Sequence, residues 1–266
     1  NEAALLAARR NRTEVSMSEI DEAIDRVVAG LEKRNRLIND RERQIVAYHE
    51  TGHAVVAERV EFADPVHKVS IVPRGVGALG YTQQLPESDR YLLQRRELLD
   101  RLAVLLGGRV AEEIVFDEIS TGASNDLERA SDIARRMVRQ YGMSETIGLV
   151  TYEHERRSFL DRNGGGGPHV PGAEPREFSE ATAEIIDNEV HKIVTAAHDR
   201  AEKVLRGERS ALDRIAKKLL QDEVISRAEL RSLLDLDTQA SGSGGNGKSS
   251  GEPAPDPASD AEHARA

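Results

Sequence analysis

The sequence predicts a mainly α-helical fold with one small β element packed beside a central helix. Three observations predict it. Apolar residues recur at helical spacing over most of residues 1–236. Alternating, β-branched character is confined to residues 66–84. Pro- and Gly-bearing breaks at Asp64-Pro65 and Pro73-Arg74-Gly75-Val76-Gly77 bracket the first strand of that stretch.

Residues 1–30 read as two short helices, the second opened by Ser16 and Glu19 at capping-box spacing, with Ile20, Ile24, Val27 and Val28 at helical intervals. Residues 31–40 form a charged linker. A strong helix runs from about Arg41 to Val60, with Ile45, Val46, Tyr48, Val55 and Val56 among its apolar positions. Val66 to Val72 is a strand, and Leu79 to Gln84 returns as a second. The helical pattern resumes from Leu92 to Val115 through Leu98, Leu102, Leu105, Leu106, Val110 and Ile114, interrupted by Gly107-Gly108, which let another element approach closely. A loop, Ser120 to Asn125, leads into a helix ending near Tyr141, with Leu127, Ile133, Met137 and Val138 on one face and Gly142 as its C-cap. Residues 161–177 form a Gly- and Pro-rich insert, followed by helices at 179–206 and 210–220. Ser226 and Glu229 cap a last short helix, and residues 237–266 have the composition of a disordered tail.

Composition narrows the function. With a formal net charge of −10 the chain lacks the basic balance of a general nucleic-acid binder. It contains no cysteine, which excludes disulfides, thiolate metal sites and cysteine nucleophiles. No apolar run reaches the length of a membrane span.

The informative motif is His49-Glu50-Thr51-Gly52-His53. On a helix, four-residue spacing sets both imidazoles on one face, one turn apart, where they can share a metal ion. Glu50 lies beside them and can take a proton from water. The flanking Val46, Ala47, Ala54 and Val55 indicate a buried helix rather than a chance match on a solvated one. A catalytic zinc site needs a third protein ligand. Val56 and Arg59 stand where a metzincin has glycine and histidine, and Ile71 to Gly75, where a thermolysin-like glutamate would lie, holds no carboxylate. Two candidates remain on residue grounds: Asp126 at a loop-to-helix junction, and Glu112 or Glu113 in an otherwise apolar helix.

Several further segments accompany the motif. They are Asp64-Pro65-Val66-His67-Lys68-Val69, Ile71-Val72-Pro73-Arg74-Gly75, Gly107-Gly108-Arg109-Val110-Ala111-Glu112-Glu113-Ile114 and Ser120-Thr121-Gly122-Ala123-Ser124-Asn125-Asp126. Together they resemble the peptidase domain of the bacterial FtsH-type, membrane-anchored, ATP-dependent zinc metalloproteases, in order, over roughly residues 1–234. The resemblance implies one zinc per chain held by His49, His53 and Asp126, with Glu50 as catalytic base and Glu112 orienting a histidine. It implies an endopeptidase acting on unfolded or membrane-extracted polypeptide, working as a homo-hexamer and anchored in the inner membrane with this domain facing the cytoplasm. Residues 1–30 correspond to the end of the helical lid of an ATPase, and residues 41–236 to the peptidase domain. No phosphate-binding Gly-x-x-x-x-Gly-Lys motif is present, so the ATP used by the whole enzyme has no site in this chain. The strand at Leu79, Gly80, Tyr81 and Thr82 is expected to pair with substrate backbone. The rival expectation is an oligomerisation module with a purely structural zinc.

Overall fold

A computed structural model of the chain describes residues 1–31, 39–74, 79–86, 90–152 and 178–236. Most of the linker expected at 31–40, part of the turn expected at 73–77, the insert at 161–177 and the tail at 237–266 lie outside the described residues. The fold is mainly α with a small sheet. Its helices are α1 (Glu2–Arg9), α2 (Met17–Ala29), α3 (Asp40–Arg59), α4 (Arg95–Phe116), α5 (Ser124–Arg139), α6 (Glu180–Gly207), α7 (Arg209–Asp222) and α8 (Arg227–Leu233). The strands are β1 (Val66–Ser70), β2 (Tyr81–Gln84) and β3 (Val224–Ser226). Among the described residues no helix is long and apolar enough to cross a membrane.

The helices begin where side chains can satisfy their free N–H groups. Asn39 caps α3 by accepting from the Glu42 amide at 2.7 Å. Capping boxes open α2 (Ser16, Glu19), α4 (Gln94, Glu97) and α8 (Ser226, Glu229). Helix α4 is the central member because it is apolar on two sides. Its Leu98, Leu102 and Leu106 pack with Ala134 and Met137 of α5 and Ile193 of α6. Its other side, through Val110 and Ala111, joins a cluster with Val55 and Val56 of α3, Val69 of β1 and Leu212 of α7.

Helices α3 and α4 run antiparallel with their main chains in contact. A Cβ on Gly52 would stand 2.3 Å from the carbonyl oxygen of Gly107, and one on Gly107 would stand 2.8 Å from that of Gly52. Neither position can carry a side chain without spreading the helices.

The sheet has the order β2-β1-β3, both pairings antiparallel, with Val69 opposite Thr82 on one side and Ile225 on the other. β2 is therefore an edge strand, and its outer side pairs with no other described strand. β3 was not foreseen, since one buried residue (Ile225) in a three-residue strand leaves no period to read.

Three local expectations are corrected. Leu127 is 38% exposed, and α5 instead buries Ala130, Ala134, Met137 and Val138. That helix is capped by Gln140, while Gly142 takes its positive φ of 60° in the following turn. Ile20 and Val27 of α2 are exposed, at 37% and 75%. What α2 buries is Ala23 and two acids, Glu19 and Asp25. Glu19 meets Arg10 at 2.9 Å and Arg12 at 3.2 Å. Asp25 bridges Lys68 at 2.5 Å and Arg74 at 3.0 Å, fastening α2 to β1 and the chain just after it.

Two outcomes follow from this packing. Hydrogen bonds from Ser16 and Arg10 hold the Glu19 carboxyl at about 2, against an ordinary 4.5. A depressed carboxylate stabilises the fold above its unfolded pKa and loses that contribution as pH falls through the folded one. Protection factors of the amides in α1 and α2, referenced to intrinsic exchange at each pH, should therefore fall ahead of those in the rest of the chain between pH 4.5 and 2. In an open helix Gly→Ala gains about 1 kcal/mol. Gly52→Ala should instead cost about 1–3 kcal/mol through overpacking, read as a lower midpoint in a thermal melt.

Candidate metal centre

The antiparallel contact of α3 and α4 sets three residues of α4, each one turn from the next, beneath the two histidines of α3. Val104 accepts a hydrogen bond at its carbonyl oxygen from His53 Nδ1 at 2.7 Å. Glu112 Oε1 accepts from His49 Nδ1 at 2.7 Å. Between them lies Gly108, where a Cβ would be 2.6 Å from His49 Nε2 and from His53 Nε2. With both Nδ1 atoms donating, both Nε2 atoms are left with a lone pair, and both point to the same place.

The third group arrives from α5. His49 Nε2 and His53 Nε2 are 3.0 Å apart, and Asp126 Oδ2 lies 3.3 Å from the first and 3.4 Å from the second. Bonds of about 2.05 Å at tetrahedral angles separate ligand atoms by about 3.3–3.4 Å, so this triangle has the size that one zinc ion asks for. Three electron-pair donors at that separation repel one another unless a cation sits among them. Without a metal the cation is a proton. Burial disfavours charge on His49, but hydrogen bonds to Asp126 and Glu112 outweigh it and raise the imidazole to about 10. The same two imidazoles, working against burial, hold the Asp126 carboxyl well below its ordinary range.

Glu112 does more than orient a ring. It is 1% exposed, and its second oxygen accepts from the Ser120 amide at 2.7 Å. Ser120 Oγ in turn accepts from the Gly122 amide, bracing the 3-10 turn Thr121–Ala123 that enters α5. One carboxylate thus ties His49 to the loop that delivers Asp126. Its neighbour Glu113 turns away and bonds Arg109 at 2.7 Å and His198 at 2.8 Å.

Glu50 is buried beside the triangle, and burial pushes its carboxyl above the usual range while His53 and His49 pull the other way. Thr82 Oγ1 lies 2.8 Å from Glu50 Oε2 and 3.0 Å from the Glu50 carbonyl oxygen. The strand expectation therefore divides. Gly80 and Thr82 lie against Glu50, whereas Tyr81 faces the other way, its ring 5.9 Å from Lys68 Nζ and 5.8 Å from the Arg74 guanidinium. Leu79 is half-buried just before β2. Thr51 donates its hydroxyl to the Ala47 carbonyl at 2.6 Å, filling that bond within the helix. A second group, His198, Asp199 and Glu202, also has its ligand atoms within 4.8 Å of one another. Its members are already paired, His198 with Glu113 and Glu202 with Arg206, and Asp199 is exposed.

The Gly107-Gly108 pair reads as a point of close approach, but the Val104 carbonyl, the place of Gly108 beneath both imidazoles and the Thr82 contact were not read from sequence. The first two required the register between α3 and α4. The third required knowing which face of β2 meets α3; the period-two pairing of Gly80 with Thr82 was the available signal.

Comparison with known proteins agrees with this geometry. The family model of peptidase family M41 matches residues 36–233. The chain is 55% identical over 232 residues to an ATP-dependent zinc metalloprotease FtsH of Syntrophobacter fumaroxidans, covering 87% of this chain and 35% of that protein. It is 53% identical over 234 residues to the protein of that name from Ralstonia pickettii, covering 88% and 32% respectively. For the one from Thermotoga maritima it is 50% identical over 235 residues, covering 88% and 37%. The chain thus spans about a third of the length of the curated relatives it matches.

Replacing Glu112 by Gln leaves one of its two donors, His49 or the Ser120 amide, facing an NH2 group. Affinity for divalent metal should fall roughly 10- to 100-fold, measured by competition against a chromogenic chelator.

Proposed function

We propose, for a chain that belongs to peptidase family M41, that its own centre is the cutting site of a zinc endopeptidase acting on unfolded polypeptide. The observation that carries this reading is the convergence of His49 Nε2, His53 Nε2 and Asp126 Oδ2, 3.0–3.4 Å apart, with the buried Glu50 carboxylate alongside. The donor set, two neutral imidazoles and one carboxylate, suits zinc. When bound, zinc supplies Lewis acidity, polarising the scissile carbonyl and lowering the pKa of a nearby water.

The remaining work falls to the chain's own groups. The Glu50 carboxylate accepts the proton of the attacking water and passes it to the departing amine nitrogen. The outer edge of β2, which pairs with no other described strand, offers main-chain N–H and C=O groups on which an extended substrate can add as a further strand. Main-chain pairing accepts many sequences but requires the substrate to be unfolded. The rival reading, a structural zinc in an assembly module, fits less well. Structural sites use four protein ligands, and the cluster holds three among the described residues. A buried carboxylate beside it has no use in such a site.

The wider setting is part of the same proposal. Residues 41–236 form the peptidase unit and residues 1–30 the end of an ATPase lid. The complete protein is a homo-hexamer in the inner membrane of a bacterium, and ATP is spent by a motor outside this chain to feed substrate in.

The decisive experiment combines metal analysis with hydrolysis of unfolded casein. Wild type should bind one zinc per chain and Asp126→Ala should lose it. Glu50→Gln should keep zinc and lose at least about 100-fold in rate, the scale of general acid–base catalysis. Full zinc in Asp126→Ala, or an active Glu50→Gln, would sink the assignment.

A further inference from the structure

We propose that Thr82 is a positioning residue for Glu50 rather than a substrate contact: its hydroxyl holds the carboxylate in the orientation from which it takes the proton of water. This inference rests on Glu50 being the general base. It is carried by a set of contacts between β2 and α3 that metal binding alone does not require.

The alternation of β2 turns Gly80 and Thr82 toward α3. At Gly80 a Cβ would stand 2.8 Å from Glu50 Cγ and 2.9 Å from Val46 Cγ1, so strand backbone presses directly on the stem of Glu50. Two residues on, Thr82 Oγ1 reaches Glu50 Oε2 at 2.8 Å. The stem is confined by one residue and the tip is held by the other. Among the described residues, Thr82 is the one hydrogen-bond donor to that buried carboxylate. The strand itself is firmly placed, since Thr82 stands opposite Val69, fully buried in the central strand.

Threonine suits the task chemically. Its β-branch restricts χ1 and so aims the hydroxyl. A hydroxyl both donates and accepts. While Glu50 is ionised, Thr82 donates to Oε2. Once the other oxygen, Oε1, has taken the water's proton, Oε2 is still an acceptor and the threonine hydroxyl goes on donating to it, with the Glu50 carbonyl oxygen a second acceptor 3.0 Å away. The contact therefore survives both halves of the proton transfer. It also means that the substrate-reading strand and the base are one mechanical unit.

The test compares wild type, Glu50→Gln, Thr82→Val and Thr82→Ser, each assayed for zinc content and for steady-state hydrolysis of an unstructured fluorogenic peptide. Thr82→Val keeps the β-branched shape and removes only the hydroxyl. It should retain one zinc and wild-type KM while kcat falls about 10- to 100-fold, the scale of one hydrogen bond to a charged group. Thr82→Ser should recover most of that loss. In a crystal structure of zinc-loaded Thr82→Val, the Glu50 carboxylate should have left its wild-type position. Wild-type kcat in the valine variant, a loss confined to KM, a serine variant as slow as valine, loss of zinc, or an unmoved Glu50 would each overturn the role. An active Glu50→Gln would instead overturn the general-base assignment, a failure visible without either threonine variant.

Discussion

The contact on which the rest of the structure depends is the one between the main chains of α3 and α4. With Gly52 against Gly107, the helices approach until the α4 backbone lies directly under the imidazole rings. At that distance a backbone carbonyl, Val104, can accept from one ring, and a buried carboxylate, Glu112, from the other. Both partners are spaced to match the histidines, one turn on α3 against two turns on α4. A looser crossing would leave each Nδ1 to water and each ring free to turn. Convergence of the two Nε2 atoms follows from helix packing as much as from the motif that contains them.

Much of this architecture is legible in the residues, and the limits of that legibility are physical. Helix α3 announces itself through its apolar positions, and His49, Glu50 and His53 through a spacing that local geometry alone interprets. Asp126 does not, because a carboxylate in the first turn of a helix has a sufficient local explanation in the helix dipole. Only the resemblance, and then the fold, singled it out over Glu112 and Glu113. Helix α2 misled for the opposite reason. Its apolar residues suggested one face, but the buried face carries Glu19 and Asp25, whose charge partners lie on other elements and cast no periodic pattern. In β2 the alternation predicted a strand, yet which face would meet Glu50 depended on the pairing with β1.

The Asp25 cluster shows how the N-terminal helices are joined to the sheet. A carboxylate buried between Lys68 and Arg74, with Tyr81 packed over both cations, is a costly arrangement to desolvate and adds little net stability over an apolar contact. Its value lies in direction. Apolar surfaces slide, whereas a two-pronged ionic contact permits one register. Burial and the nearby Asp25 raise the Tyr81 phenol well above its usual range, so it stays a neutral platform at any physiological pH. β2 is thereby gripped on both faces, by α2 through this cluster and by α3 through Gly80 and Thr82.

Gly108 has a consequence for how relatives of this chain are sorted into working enzymes and pseudoenzymes. It supplies no ligand, proton or charge, so an inventory of reactive groups passes over it. Yet the space a Cβ would fill there is the space both Nε2 atoms use to meet. A homologue with every reactive group intact but alanine at this position would have to move its imidazole rings away from the point where the two Nε2 atoms meet. In this architecture a missing methyl group shapes the candidate metal centre as much as the histidines do.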